Sequence, residues 1–177
     1  ARIHLWDVVN ETFEDDGSLR KSPFTRVLGE DFVPEAFRMA AEAFPASVEL
    51  IYNDYSMFMP GRRDAVLRMV KDLKARGIRI DGVGMQGHWG LDFPKIEDAE
   101  ASIVAFAEAG MRVHITELDV EVLPRTPDMF GADLNKRAQL SAENNPYPNG
   151  FPAEMQEKLA RRYAEIFALF VKHADKI

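Results

Sequence analysis

Residues 48–77, VELIYNDYSMFMPGRRDAVLRMVKDLKARG, contain the unit that decides the fold of this chain. The unit opens with an apolar run, Val48–Tyr52, which predicts a buried strand, and continues with the polar cluster Asn53–Tyr55. Apolar residues then recur at helical spacing over 62–76, and Gly77 suits the C-terminal cap of a helix. A buried strand, a polar cluster and an amphipathic helix in this order are typical of an α/β fold built from βα units.

Three further units of the same kind surround this one. Their strands are expected at Ile3–Val9, Gly82–Met85 and Val113–Thr116, and their helices at 32–44, 96–109 and 153–173. Strands that alternate with helices of this length need crossover connections, so the sequence predicts a parallel sheet. We therefore expect four consecutive βα units within one segment, residues 1–177. A long polar loop, Leu123–Pro152, precedes the last helix, and loops of this length in a compact domain tend to be functional.

The composition excludes several classes of protein. The chain has 177 residues, 46% of them hydrophobic, which is enough to bury a sizeable core. Its formal net charge of −7 argues against nucleic acid or an anionic membrane as a partner, because both require clustered Lys and Arg. Without cysteine there is no disulfide, thiolate metal site or cysteine nucleophile. Phosphate-binding loops and the G-x-S-x-G motif are also absent, and no apolar run approaches the ~18 residues of a membrane span.

Two glutamates stand at corresponding places in the pattern. Glu11 follows the first predicted strand and Glu117 follows the fourth. Either one alone could be an ordinary surface charge at a strand end. However, the carboxyl ends of parallel strands meet at one edge of a sheet, which is where active sites lie in (β/α)₈ barrels. Glycoside hydrolysis requires such a pair of carboxyl groups, so the two glutamates are candidate catalytic residues.

Side-chain alternation predicts which residues share a face with these glutamates. On the third strand one face carries Gly82, Gly84, Gln86 and His88. On the fourth strand alternation groups Val113, Ile115, Glu117 and Asp119, with His114 on the opposite face. The glycines suit a crowded barrel interior, with Gln86 and His88 at its mouth. For His4, His114 and His173 we predict structural roles.

Two other interpretations concern metals and aromatic rings. His88, Glu117 and Asp119 could form a metal site, although the four histidines of the chain show no H-x-H or H-E-x-x-H spacing, so none is predicted. Tyr55 and Trp89 fall beyond the predicted strands, where flat amphipathic rings can stack on sugars. For Trp6 and Tyr52 we expect core packing instead.

Four segments, one at the end of each predicted strand, resemble a known family when taken together. They are Trp6–Glu11 (WDVVNE), Tyr52–Tyr55 (YNDY), Gly82–Trp89 (GVGMQGHW) and Ile115–Val120 (ITELDV). In this order they are similar to the strand-end motifs of family 10 glycoside hydrolases, the endo-1,4-β-xylanases with a (β/α)₈ TIM barrel. The resemblance implies retaining hydrolysis of β-1,4-xylosidic bonds in xylan or xylo-oligosaccharides, without a cofactor, by a secreted or periplasmic protein.

The resemblance also implies a role for each matching residue. Glu11 would be the acid/base and Glu117 the nucleophile of a two-step mechanism. Asn10 would hydrogen-bond the 2-hydroxyl of the sugar at the cleavage subsite, which Gln86 would also line. His88 would contact the nucleophile.

The remaining roles lie around these groups. Asp119 would orient His88, and Tyr55 would belong to the leaving-group side of the cleft. Ser56 departs from the motif, because the family commonly has Asn after this tyrosine.

The resemblance covers only part of a barrel. The first strand here is similar to the fourth strand of the family, and the last helix is similar to the one that follows the seventh strand. Since even short barrels need roughly 200 residues, we expect a partial (β/α)₈ barrel that was excised or belongs to a two-chain barrel. It would need a complementary chain or self-association to be active. The alternatives are a non-catalytic half-barrel assembly fragment and a metal-dependent TIM-barrel hydrolase.

Overall fold

A computed structural model describes residues 3–124 and 145–177 and shows a four-stranded parallel sheet in the order β1-β2-β3-β4. The strands are β1 (Leu5–Asn10), β2 (Glu49–Asp54), β3 (Gly82–Gly90) and β4 (Arg112–Glu121). The helices are α1 (Pro23–Leu28), α2 (Phe32–Ala43), α3 (Pro60–Ala75), α4 (Ile96–Glu108) and α5 (Ala153–Lys172), and a 3₁₀ turn, Gly29–Asp31, joins α1 to α2. The four predicted βα units are confirmed.

The largest differences from the prediction concern β3, β4 and α1. β3 and β4 both run several residues further than predicted, because their pairing continues to Gly90 and Glu121. Helix α1 was missed, although Ser22 followed by Pro23 is a helix-start signal, and the Ser22 side chain does accept a hydrogen bond from Thr25 N. Most of the predicted loop Leu123–Pro152 lies outside the described residues.

The helices pack against one face of the sheet and share a single core. Leu50, Tyr52, Val83, Met85 and Val113 supply the strand side of this core. The helices contribute Val33, Phe37, Ala65, Val66, Val70, Leu73, Ala99, Ile103, Phe106, Ile166 and Leu169. A doubly wound fold would place helices on both faces, so this arrangement is that of a partial (β/α)₈ barrel. Within the described residues, none of the helices combines the length and hydropathy needed to cross a membrane.

The opposite face of the sheet, which we call the inner face, carries mostly polar residues. Register pairs Asn53 with Gly84, and a side chain at Gly84 would collide with that of Asn53, so the two share this face. The prediction that Val113 and Ile115 also face inward is wrong, since both pack toward the helices. His114 lies opposite Gly84 and its Nε2 is 2.9 Å from Glu49 Oε2. Pairing with the neighbouring strand therefore decides which residues of β4 face inward and which face the helices.

The two aromatic residues expected in the core behave differently. Tyr52 is fully buried, which confirms the prediction. Trp6 is 42% exposed, so the prediction of core packing is wrong for it. Its ring contacts Phe44, with centroids 4.8 Å apart, but β1 pairs only with β2 in the described part of the chain, so the strand is covered on one side only.

Candidate active site

The backbone takes an unusual conformation just beyond β1, just beyond β2 and in the second half of β4. Among the described residues, the non-glycine residues with positive φ are Glu11 (55°), Ser56 (50°) and Glu117 (53°). A left-handed conformation costs an L-residue roughly 1–2 kcal/mol, and such strain is found mainly at functional sites. Both candidate catalytic glutamates carry it.

A bulge in β4 turns Glu117 onto the inner face. Gln86 pairs with Thr116 and His88 pairs with Asp119, so β4 has one residue more than β3 between these two pairs. As a result the consecutive residues Thr116 and Glu117 both reach Asn53. Thr116 Oγ1 donates to Asn53 Oδ1 over 2.7 Å, and Asn53 Nδ2 donates to Glu117 Oε1 over 2.9 Å. Regular alternation would place one of them on the helix side.

Glu11 reaches the inner face in a different way. The register of β1 shifts between Asp7 and Val9, which places Asn10 on the inner face, and the positive φ of Glu11 turns the following side chain to the same side. Gln86 Nε2 then lies 3.2 Å from Asn10 Oδ1 and 3.2 Å from Glu11 Oε1, so two consecutive residues again contact one amide. Each glutamate therefore enters the site through a local break in strand geometry.

Two buried amides join the glutamates into one hydrogen-bonded network. Asn53 Nδ2 donates to Asn10 Oδ1 as well as to Glu117, both at 2.9 Å, and Gln86 contacts Asn10 and Glu11. Asn53 and Gln86 are only 1% and 3% exposed. Sequence reasoning did not single out Asn53. Side-chain alternation along β2 places Asn53 on the same face as Ile51, and this pattern could have identified Asn53 as a residue of the inner face.

His88 lies between the two carboxylates on β4, as predicted. Its Nε2 is 3.1 Å from Glu117 Oε2 and its Nδ1 is 3.3 Å from Asp119 Oδ1. The two ring nitrogens point to different carboxylates, so these three side chains do not converge on one point. No group of three His, Asp or Glu side chains in residues 3–124 and 145–177 is arranged to hold a metal ion. Nothing in the geometry therefore favours the metallohydrolase interpretation.

Arg20 is a site residue that the sequence analysis missed. Its Nη1 donates to Glu11 Oε2 over 3.2 Å, and its Nη2 donates to Tyr55 Oη over 2.8 Å. Burial alone lowers the pKa of Arg20, but Tyr55, Glu11 and Glu14 together outweigh it and raise the pKa. The guanidinium therefore stays charged beside Glu11.

Asp7 is a further carboxyl group of the inner face. Burial, together with the negative charge of Glu117, raises the pKa of Asp7, and His114 offsets part of this effect. The influence of Glu117 and His114 on one carboxyl group agrees with the inward orientation of all three residues. His173, by contrast, lies on the helix side, where its Nε2 is 2.7 Å from Glu100 Oε1. His114 and His173 each pair with a carboxylate outside the catalytic pair, as expected for structural residues.

Comparison with known proteins agrees with this geometry. The family model described as Glycosyl hydrolase family 10 matches residues 1–177. The chain belongs to this family. Endo-1,4-beta-xylanase A of Xylanibacter ruminicola is 45% identical over 177 residues, which are 100% of this chain and 48% of that protein.

Solved structures of the family give the same result. A GH10 endoxylanase from a sugarcane soil metagenome is 48% identical, with a TM-score of 0.93 over 99% of this chain and 51% of its own. Xylanase 10B of Thermotoga petrophila RKU-1, solved with xylobiose, is 29% identical, with a TM-score of 0.76 over 97% of this chain and 45% of its own. The chain thus spans about half the length of the family 10 relatives that it matches.

Among the predicted family 10 site residues, Trp89 requires a correction. The structure places Asn10, Glu11, Tyr55, Gln86, His88, Glu117 and Asp119 around one edge of the sheet. Trp89, however, is 1% exposed and lies in the core, with its ring centroid 6.0 Å from that of Phe170 in α5. It belongs to β3 and points away from the inner face, so it cannot stack on a sugar.

Proposed function

We propose that this chain carries both catalytic carboxyl groups of an endo-1,4-β-xylanase that acts with retention. The observation that carries the proposal is the single network of Asn10, Asn53 and Gln86 that links Glu11 to Glu117 across four strands. It fixes two carboxylates at one edge of the sheet without a metal ligand set. Two positioned carboxyl groups are the requirement of glycoside hydrolysis.

In this proposal Glu117 is the nucleophile. Asn53 donates to its Oε1 and His88 contacts its Oε2, so neighbours hold both oxygens and limit rotation of the carboxylate. Asp119, on the other ring nitrogen, orients His88. A fixed carboxylate can attack the anomeric carbon without first losing rotational freedom, which lowers the entropic part of the barrier.

Glu11 is the acid/base of the same reaction. In the first step its carboxyl group protonates the departing glycosidic oxygen, and in the second step the carboxylate takes a proton from water. Retaining glycosidases hold the two carboxyl groups about 5–5.5 Å apart to allow direct attack on the sugar. That separation for Glu11 and Glu117 stays a prediction.

The proposed substrate is xylan or a xylo-oligosaccharide. Asn10 and Gln86 share the inner face with the nucleophile and would hydrogen-bond the sugar that is attacked. Tyr55 lies beyond the acid/base, against Arg20, and would contact the leaving-group sugar. The support for xylose units comes from family 10 membership and from relatives named endo-1,4-beta-xylanases.

We also propose that the inner face is completed by the rest of a barrel. Within the described residues β1 and β4 each pair with one neighbour only, and the inner face carries polar groups such as Asp7, Glu49 and His114. The Xylanibacter ruminicola relative is about twice as long as this chain, so in this proposal its remaining half supplies strands that pair with these edges. A second copy of this chain could cover the same edges, and the experiment below distinguishes the two.

The test is a complete barrel made from this chain and the remaining half of the Xylanibacter ruminicola xylanase, compared with the chain alone. We expect the complete barrel to hydrolyse xylan, with the β-anomer as the first product seen by ¹H NMR. We expect the chain alone to be inactive. Glu108→Gln serves as the control for Glu117→Gln, because Glu108 is exposed and on the helix side.

Other results would contradict the proposal. A folded complete barrel without activity on xylan would leave a non-catalytic assembly fragment as the better description. Initial formation of the α-anomer would exclude retention. Loss of activity on chelation, with recovery on adding a divalent metal, would favour the metallohydrolase. Activity of a self-associated form, measured across sizing-chromatography fractions, would replace the complementary half by a second copy.

A further inference from the structure

We propose that Arg20 is a positioning residue that acts through Glu11, holding its carboxyl group in the orientation needed for proton transfer to the leaving group. The proposal deepens the proposed function of the same site and rests on it. Arg20 contacts one oxygen of the Glu11 carboxyl group but neither gives nor takes the transferred proton in this proposal. Its effect would come from two hydrogen bonds, which the guanidinium donates to Glu11 and to Tyr55 and which we call the fork.

A small hairpin brings Arg20 back to Glu11. The chain leaves Glu11, turns at Asp16–Gly17 and returns, with Glu14 N donating to Ser18 O over 2.9 Å and Phe13 bridging Leu19. Arg20 N donates to Thr12 O over 2.8 Å, so Arg20 lies directly beside the residue that follows Glu11. The sequence separation of nine residues is therefore closed by backbone hydrogen bonds.

A buried arginine anchors both this hairpin and Tyr55. Arg62 is fully buried and donates to Asp54 over 2.6 Å and to Asp15, in the hairpin turn, over 2.7 Å. Its guanidinium also lies 4.0 Å from the centroid of the Tyr55 ring. Burial and two ion pairs restrict Arg62, and its contact with the ring helps to position the phenol oxygen of Tyr55 as an acceptor for Arg20.

The fork then limits the motion of Glu11. Arg20 donates to Oε2 and Gln86 donates to Oε1, so the two oxygens are held from different sides. Removing Arg20 would free one side of the carboxyl group and let it rotate about its last bond. A lysine would keep the charge, but its single ammonium lacks the planar fork that reaches Glu11 and Tyr55 together.

The leaving group provides a direct test. A glycoside with a poor leaving group needs protonation by Glu11. From 2,4-dinitrophenyl β-xylobioside the leaving group is 2,4-dinitrophenolate, which departs without protonation. In the complete barrel we expect Arg20→Met to lower kcat/KM on xylohexaose about 10- to 100-fold, a part of the ~10²–10⁴ that a general acid supplies. On the dinitrophenyl substrate kcat/KM should fall less than about 3-fold, because the departure of dinitrophenolate needs little general-acid catalysis.

Two further variants distinguish a positioning role of Arg20 from a general structural defect. Arg26→Met is the matched control, because Arg26 is exposed on α1 and its side chain makes no hydrogen bond or ion pair with the described residues, so kcat/KM on both substrates should stay unchanged. Arg20→Lys should fall between the unsubstituted protein and Arg20→Met on xylohexaose. Equal losses on both substrates would overturn the proposal, since a structural defect would lower every kcat/KM alike. So would a loss on neither substrate.

A crystal structure keeps this outcome distinct from failure of the proposed function. If the unsubstituted barrel does not cleave xylan, the proposed function fails whatever Arg20 does. The fork itself is tested independently of activity, by whether Glu11 Oε2 and Tyr55 Oη both lie within hydrogen-bond distance of Arg20, and whether Glu11 adopts another rotamer in Arg20→Met. A Glu11 side chain that keeps its place without Arg20 would overturn the positioning role.

Discussion

The surroundings of Glu11 and Glu117 differ although the backbone presents both in the same way. Each glutamate has a φ near +55° and follows a residue that reaches the same amide as itself. Glu11 is then supported by a cation, Arg20, and by a hairpin tied to the buried Arg62. Among the residues that the structure describes, side chains of β2 and β3 support Glu117, which is about twice as exposed as Glu11, 46% against 22% for the side chains.

This difference shows how one local device can serve two chemical roles. The positive φ turns each carboxylate toward the inner face, but the neighbouring side chains decide what that carboxylate can do. A nucleophile needs two oxygens held and an open path to the sugar, which amide and imidazole neighbours allow. An acid/base has to keep its orientation in both protonation states, and the anchored side of the site provides that orientation.

The largest effect should come from removing the carboxylates themselves. In the complete barrel we expect Glu117→Gln to abolish turnover of every substrate, because no covalent intermediate can form. Glu11→Gln should lower kcat/KM on xylan by about 10²–10⁴ and spare the dinitrophenyl xylobioside. Kinetics on the two substrates measure this. If both variants lost activity equally on both substrates, the assignment of separate roles would fail.

Next in size is the anchor on the Glu11 side. Arg62→Met leaves Asp54 buried without its cation, so the free energy of unfolding should fall by about 3–5 kcal/mol. The neighbour Arg63→Met removes only a pair with the exposed Asp64, which is worth at most ~1 kcal/mol. Urea denaturation of both variants gives the comparison. Hydrogen exchange should rise in residues 12–20 of Arg62→Met and stay unchanged around Glu117.

A smaller effect is expected from the amide that joins the two sides. Asn53→Ala removes donors and acceptors from Asn10, Thr116 and Glu117 at a buried position, which should cost about 1–3 kcal/mol. Asn149→Ala, at an exposed position, is the matched control. Thermal denaturation measures the stability. We also expect kcat on xylan to fall, because Glu117 loses one of its two hydrogen-bond partners. Unchanged kcat would mean that His88 alone positions the nucleophile.

The smallest effect concerns the third strained position. Ser56 has a φ of 50°, a conformation that Asn adopts more readily than Ser. Ser56→Asn should therefore raise the free energy of unfolding by less than ~1 kcal/mol, without changing kcat. Ser47→Asn, at an exposed position with ordinary φ, should show no gain. A loss of stability in Ser56→Asn would show that side-chain packing outweighs the backbone preference there.

Sequence reasoning succeeded where a local pattern and a global rule agreed. The βα order predicted the parallel sheet, and the rule that strand ends meet at one edge brought together Glu11, Glu117 and His88. It failed for the face of Val113 and Ile115 because alternation was counted backwards from Glu117 through a bulge that no local signal reveals. It failed for Trp89 because β3 continues past the predicted strand end, so a residue taken for a loop aromatic is a core residue.

Arg20 shows most clearly which contacts the sequence alone does not predict. By itself the sequence determined four βα units and the carboxylates at their ends, because hydrophobic periodicity and chain connectivity are local properties. Only the tertiary structure decided which side chains hold those carboxylates. Arg20 reaches Glu11 through a hairpin, Asn53 reaches Glu117 from another strand, and both glutamates turn inward at residues with positive φ. Each of these contacts depends on how strands align with their neighbours, and that alignment is set by packing over the whole sheet.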